Sequence, residues 1–175
     1  MLILVTGLPG TGKTYFATAL AKSIKAFHLN SDGVRKDLGK MGKYDKSTKQ
    51  LVYKVLKQRT ETALREHKKV IVDATFYKKQ QRSDFISLAL KTNHSFVIFE
   101  LKADEGIIKE RTEKSRPDSE ANFAVYKKIK KQYDPIELHH FTLWSEKDNL
   151  KAILQKAKKI HTLCATSLTN MYEFF

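Results

Sequence analysis

Eight residues near the start of the chain have the types and spacing needed to hold phosphate. Residues 7–14 read GLPGTGKT and fill G-x-x-x-x-G-K-[ST] at each fixed position. Glycines let main-chain N–H groups turn toward an anion and approach it closely. Lys13 supplies a point charge for β- and γ-phosphates, and Thr14 offers a hydroxyl to Mg²⁺. The start of the helix that follows adds a favourable dipole. The nucleotide-binding candidates are therefore Gly7, Pro9, Gly10, Thr11, Gly12, Lys13, Thr14 and Tyr15. The pattern implies ATP or another NTP with Mg²⁺, and by itself implies no reaction.

A phosphoryl transfer needs a base for the proton of the acceptor hydroxyl, a grip that positions the acceptor, and cations around the moving group. The stretch NSDGVRKDL (30–38) places Asp32 and Arg35 one helical turn apart, on one face. Asp32 is a candidate catalytic base, and helix capping is its alternative use. Ser31 can cap as well, which would leave the carboxylate for chemistry. Arg35 is a candidate grip on the acceptor or on Asp32. Asp73 closes the apolar run VIVD (70–73) and is a candidate for Mg²⁺, through water, or for orienting a basic group. Arg111 and Arg116 flank a helix end before Pro117 and are candidate lid cations, able to fold over the nucleotide. Arg82 has two readings, a substrate contact and a structural tie.

These residues need elements to position them. LILVTG (2–7) is a continuous apolar run, as in a strand buried on both faces of a parallel sheet. Further strands are expected at 25–29, 70–74, 95–101 and 139–144. Helices are expected over 12–23, from about 32, and over 48–68, 81–90, 104–114 and 120–132. A last helix, opened by a SEKD capping box (145–148), should end near Ile160. The alternation predicts an α/β fold with a five-stranded parallel sheet, helices on both faces and a small helical lid over about 111–120. One domain is expected over 1–160, with 161–175 as a tail. Trp144 reads as a buried strand residue. Tyr44, Phe76 and Tyr126 read as packing residues, with base stacking as the other use. His28, His94, His139 and His140 lack metal-ligand spacing.

The 175 residues carry 33 Lys+Arg against 19 Asp+Glu, a net charge of +14. That excess suits a polyanionic partner such as nucleic acid, and equally a lysine-rich solvated surface. Six of the basic residues are arginines, at 35, 59, 65, 82, 111 and 116, and their planar forks carry more information than the lysines. Arg59 and Arg65 fall on the exposed side of the long helix. Cys164 is the single cysteine, so no internal disulfide forms, which suits the cytoplasm. The run Met1–Val5 is too short for a signal peptide or a membrane span.

Taken together, GLPGTGKT, SDGVRKDL, VIVDATF…R and RTEKSRPDSE resemble the P-loop kinases related to polynucleotide 5′-hydroxyl kinase. Zeta-type toxins and many uncharacterised predicted kinases are more distant relatives. The resemblance runs over residues 1–135 in the right order. It implies a P-loop NTPase fold, Asp32 as general base, Arg35 on the acceptor phosphate, Asp73 supporting that site and Arg111 and Arg116 as lid arginines. The polynucleotide kinases tend to have Asp-Thr-Asn where this chain has DATF (73–76), a difference that bears on the acceptor. No D-x-D-G-T phosphatase signature is present. The expected activity is ATP-dependent transfer to the 5′-OH end of RNA or DNA, guided by the lysines at 127–131. The alternatives are a kinase of a small metabolite, nucleotide or nucleotide sugar, and an ATP-hydrolysing regulatory module.

Overall fold

In the computed structural model, residues 1–66, 69–113 and 122–166 are described. Strand β1 (Leu2–Thr6) is fully buried and alternates its side chains between two cores. Leu2 and Leu4 face one hydrophobic cluster, while Ile3 and Val5 face the other. Helix α1 (Lys13–Ile24) packs on the second side through Phe16, Ala17 and Leu20. Strand β2 (Phe27–Asn30) leads into the short helix α2 (Ser31–Asp37), and the long helix α3 (Lys46–Arg65) covers the first side through Val52, Leu56 and Leu64. Then follow β3 (Val70–Asp73), α4 (Lys79–Lys91), β4 (Phe96–Lys102), α5 (Glu105–Glu113), α6 (Phe123–Lys130), β5 (Phe141–Trp144) and α7 (Leu150–Thr166).

The sheet runs in the order β2-β3-β1-β4-β5, and all four pairings are parallel. After β1 the chain crosses to one side, and after β3 it crosses to the other. This makes the carboxyl end of β1 a topological switch point, where open α/β sheets place their ligands. The five-stranded parallel sheet with helices on both faces is the architecture expected from the sequence.

Element ends differ where local polar contacts decide. Helix α2 is capped by Asn30, whose side chain accepts from the Gly33 N–H, and neither Ser31 nor Asp32 has to cap it. The SEKD stretch opens no helix. Instead Asn149 accepts from the Glu146 N–H and donates to the Trp144 carbonyl, and α7 begins one residue later, at Leu150. The boundary expected at residue 160 falls inside α7. Trp144 is half-exposed, because β5 is an edge strand and the residue sits at its open end. No helix among the described residues is long and apolar enough to cross a membrane.

Candidate active site at the carboxyl edge of the sheet

The turn after β1 folds around three glycines with positive φ, at 7, 10 and 12. Gly10 has no room for a side chain. A Cβ there would stand 2.9 Å from methyls of Ile108 and Thr112 on α5. Lys13 reaches back across its own loop, Nζ donating to the Leu8 carbonyl at 3.0 Å, and the Thr11 hydroxyl donates to the same oxygen at 2.8 Å. Thr14 and Tyr15 are exposed in the first turn of α1.

Beside this cradle the strands end in register: Val5 of β1 lies opposite Asp73 of β3, which lies opposite Asn30 of β2. Adjacent strands are about 4.8 Å apart, so Asn30 sits roughly 10 Å from the end of β1. Asp32 follows two residues later, half-buried in the first turn of α2. Asp73 is buried, and its Oδ2 has no hydrogen-bond partner. His28 Nε2 lies 3.8 Å from this oxygen and is likewise without a hydrogen bond. A buried carboxylate oxygen with no protein donor fits a hydrated hard cation, as does the hydroxyl of Thr14.

On the far side of Asp32 the surface turns basic. Arg35 is buried, its guanidinium 4.4 Å over the Tyr44 ring and donating from Nη1 to the Lys43 carbonyl. A cavity of about 600 Å³ opens between α3 and α4, walled by Lys49, Tyr53 and Tyr77 among others. Tyr53 is edge-on to Phe76, and its hydroxyl oxygen accepts from the Phe76 N–H. Burial pushes that hydroxyl well above the usual tyrosine range.

On the opposite side, α5 leans on the cradle. Arg111 donates from Nη1 to the Ser145 hydroxyl at 3.0 Å and from Nη2 to the Glu146 carbonyl at 3.1 Å. A Cβ on Gly12 would lie 3.6 Å from Arg111 Nη1, so this arginine stands at the edge of the phosphate loop. Beneath the loop the Tyr133 hydroxyl donates to the buried Glu100 at 3.2 Å and lies 3.3 Å from the Thr6 hydroxyl. Burial pushes Tyr133 up to about 12.

Residues 2–136 match the family described as AAA domain. The chain belongs to that family. The AAA-domain chain is also similar in fold to solved kinases. A gluconokinase from Sinorhizobium meliloti superposes with a TM-score of 0.73 at 16% identity, covering 97% of this chain and 96% of that one. The APS kinase CysC of Mycobacterium tuberculosis, in complex with AMPPNP and APS, gives 0.70 at 15% identity, with 92% and 96% covered. A shikimate kinase from Acinetobacter baumannii, in complex with shikimate, gives 0.61 at 18%, with 92% of each chain covered.

The AAA-domain fold thus gathers Lys13, Asp32, Arg35, Asp73 and Arg111 at one edge of the sheet, whereas Arg116 lies outside the described residues. Arg82 is used differently. It is buried, and its two terminal nitrogens donate to the carbonyls of Phe76, Asp134 and Pro135 at 2.7–2.9 Å. This ties the segment after β3 to the segment after α6, the structural tie of its two readings. Replacing Arg82 by Leu strands three main-chain oxygens in a desolvated site, a loss of about 3 kcal/mol. A thermal melt should show a midpoint roughly 6–12 °C lower. An unchanged midpoint would remove the bracing role.

Sequence reasoning did not single out Lys49, Tyr53, Glu100 or Tyr133. Each earns its place through contacts with segments distant along the chain, and spacing carries no signal of that kind. Phe76 and Tyr126 are buried packing residues, while Tyr44 is partly exposed beneath Arg35.

Proposed function

We propose that this AAA-domain protein is an ATP-dependent kinase that transfers the γ-phosphate to a hydroxyl of a small-molecule acceptor. The observation that supports this reading is the registered edge Val5–Asp73–Asn30, which brings the first turn of α2, where Asp32 lies, to the same carboxyl edge of the sheet as the phosphate cradle. In the reaction Asp32 accepts the proton of the acceptor hydroxyl. The freed oxygen bonds to the γ-phosphorus as the bond to the ADP oxygen breaks. Lys13 stabilises charge on the phosphates, and Arg111 lies where it can reach them. Asp73 and Thr14 would hold Mg²⁺, which when bound neutralises charge shared by the β- and γ-phosphates. Gluconokinase, APS kinase and shikimate kinase, which share the fold, support a small acceptor.

A second reading keeps the same residues and takes the 5′-OH end of RNA or DNA as acceptor. It is favoured by the +14 charge and by the four lysines, Lys46, Lys49, Lys54 and Lys57, along the cavity between α3 and α4.

The test is transfer from γ-labelled ATP to a panel of hydroxylated metabolites and to a 5′-hydroxyl oligonucleotide. Label on a metabolite is the expected result. Label on the oligonucleotide alone, with a KM that climbs with salt, selects the second reading. Hydrolysis with no labelled acceptor, unaffected by Asp32→Asn, points to a regulatory ATPase and overturns both.

A further inference from the structure

We infer that His28 is a positioning residue for the metal-holding carboxylate: its Nε2–H donates to Asp73 Oδ2 and fixes the rotation at which Asp73 would hold Mg²⁺. This rests on the reading of Asp73 and Thr14 as the Mg²⁺ residues, and His28 itself is no ligand in it.

Two buried polar atoms face each other at the end of β3. Asp73 is 2% exposed, and its Oδ2 has no hydrogen-bond partner. His28 lies on the neighbouring strand β2, and its Nε2 is buried, equally without a partner, and 3.8 Å from that oxygen. A carboxylate oxygen shut off from water needs a donor, and a buried ring nitrogen needs a partner as well. The separation is longer than a hydrogen bond, but neither atom takes part in another one. A small turn of either side chain closes the distance.

The other ring nitrogen sets the direction of the bond. His28 Nδ1 lies 3.5 Å from the hydroxyl of Thr18 on α1. With that hydroxyl donating, Nδ1 is the acceptor and the ring proton sits on Nε2, turned toward Asp73. The opposite tautomer would set a lone pair against a buried carboxylate oxygen. Thr18 stands one helical turn beyond Thr14, on the same side of α1. Residues from α1, β2 and β3 thus form one chain of contacts that ends on the carboxylate. An ionised carboxylate offers about four acceptor sites, so one bond from His28 leaves the others for water around a cation. A partner of this kind orients a metal-holding side chain, and its loss weakens metal binding by about 10–100-fold. His28 lacks metal-ligand spacing in the sequence, as suits a residue that stands behind the ligand.

The test reads how far Mg²⁺ tightens binding of a fluorescent ADP analogue, comparing saturating Mg²⁺ with excess EDTA, so it needs neither acceptor nor turnover. His28→Leu should lose about tenfold or more of that gain, while its affinity without Mg²⁺ stays within about twofold of wild type. His28→Gln, whose amide nitrogen reaches the place of Nε2, should restore most of the gain. His28→Asn, which reaches only the place of Nδ1, should not. Nitrogen NMR of the histidine rings should show a protonated Nε2 in His28, its signal assigned from the loss in His28→Leu. An undiminished gain in His28→Leu, equal behaviour of the Gln and Asn variants, or an unprotonated Nε2 overturns the inference. If His28→Leu loses binding without Mg²⁺ as well, the comparison of Gln with Asn decides. Asp73→Asn separates the two levels. Loss of the gain there, with none in His28→Leu, keeps the metal reading and sinks the role of His28. A full gain in Asp73→Asn overturns the metal reading and the inference with it. A gain that depends on His28 and Asp73, with no phosphoryl transfer to any acceptor, would sustain the inference while defeating the kinase reading.

Discussion

Asp32→Asn is expected to lower kcat about a thousandfold while KM for ATP stays within about threefold. The amide keeps the size and the hydrogen-bonding reach of the carboxylate but cannot accept the hydroxyl proton at neutral pH. Positioned general bases contribute about 10²–10⁴ in rate, so a thousandfold loss, about 4 kcal/mol in the barrier, is the central expectation. The cap of α2 is kept in this variant, because Asn30 supplies it. Steady-state kinetics with the acceptor found in the labelling panel is the measurement. A variant with more than a tenth of wild-type kcat would show that the proton leaves by another route, and the proposed role of Asp32 would be wrong.

The second large effect belongs to Lys13. Lys13→Met should reduce kcat/KM for ATP by at least a thousandfold, whichever acceptor is used. The ammonium lies over the loop, donating to the Leu8 carbonyl at 3.0 Å, so it is already gathered near the place where the phosphates are expected. Methionine preserves much of the stem and removes the charge. Charge placed in advance beside a transferring phosphoryl group is usually the largest single contribution to such catalysis. Lys13→Arg should rescue little, since a planar fork does not fit where a compact ammonium bends back over its own loop. Binding of a fluorescent ATP analogue, followed beside turnover, separates lost affinity from lost chemistry. Near-normal turnover in Lys13→Met would remove the cradle from the reaction.

Much of this arrangement was legible in the chain, for identifiable reasons. A strand buried on both faces writes itself as an unbroken apolar run, so β1 and β3 were visible at once. The glycine pattern at 7–12 is legible because positive φ and close approach leave few other residues available. Asp32, Arg35 and Asp73 were legible through the alternation of elements, since a parallel sheet brings every strand's carboxyl end to one edge. Other features were hidden. The cap of α2 is Asn30 and neither Asp32 nor Ser31, because its Oδ1 reaches the Gly33 N–H, a matter of backbone geometry at a strand end. Arg82 had two readings, and only the fold brings Asp134 and Pro135 within reach of its guanidinium.

The contact between Gly10 and helix α5 has a bearing on how this protein can drift over generations. With the methyls of Ile108 and Thr112 pressed to where a side chain would grow, those three sites form one steric unit although about a hundred residues separate them. A bulkier residue at any one of them must be matched by a smaller one at another. Descendants of this chain should therefore alter the trio together or not at all, and the loop is free to diversify only where α5 does not touch it.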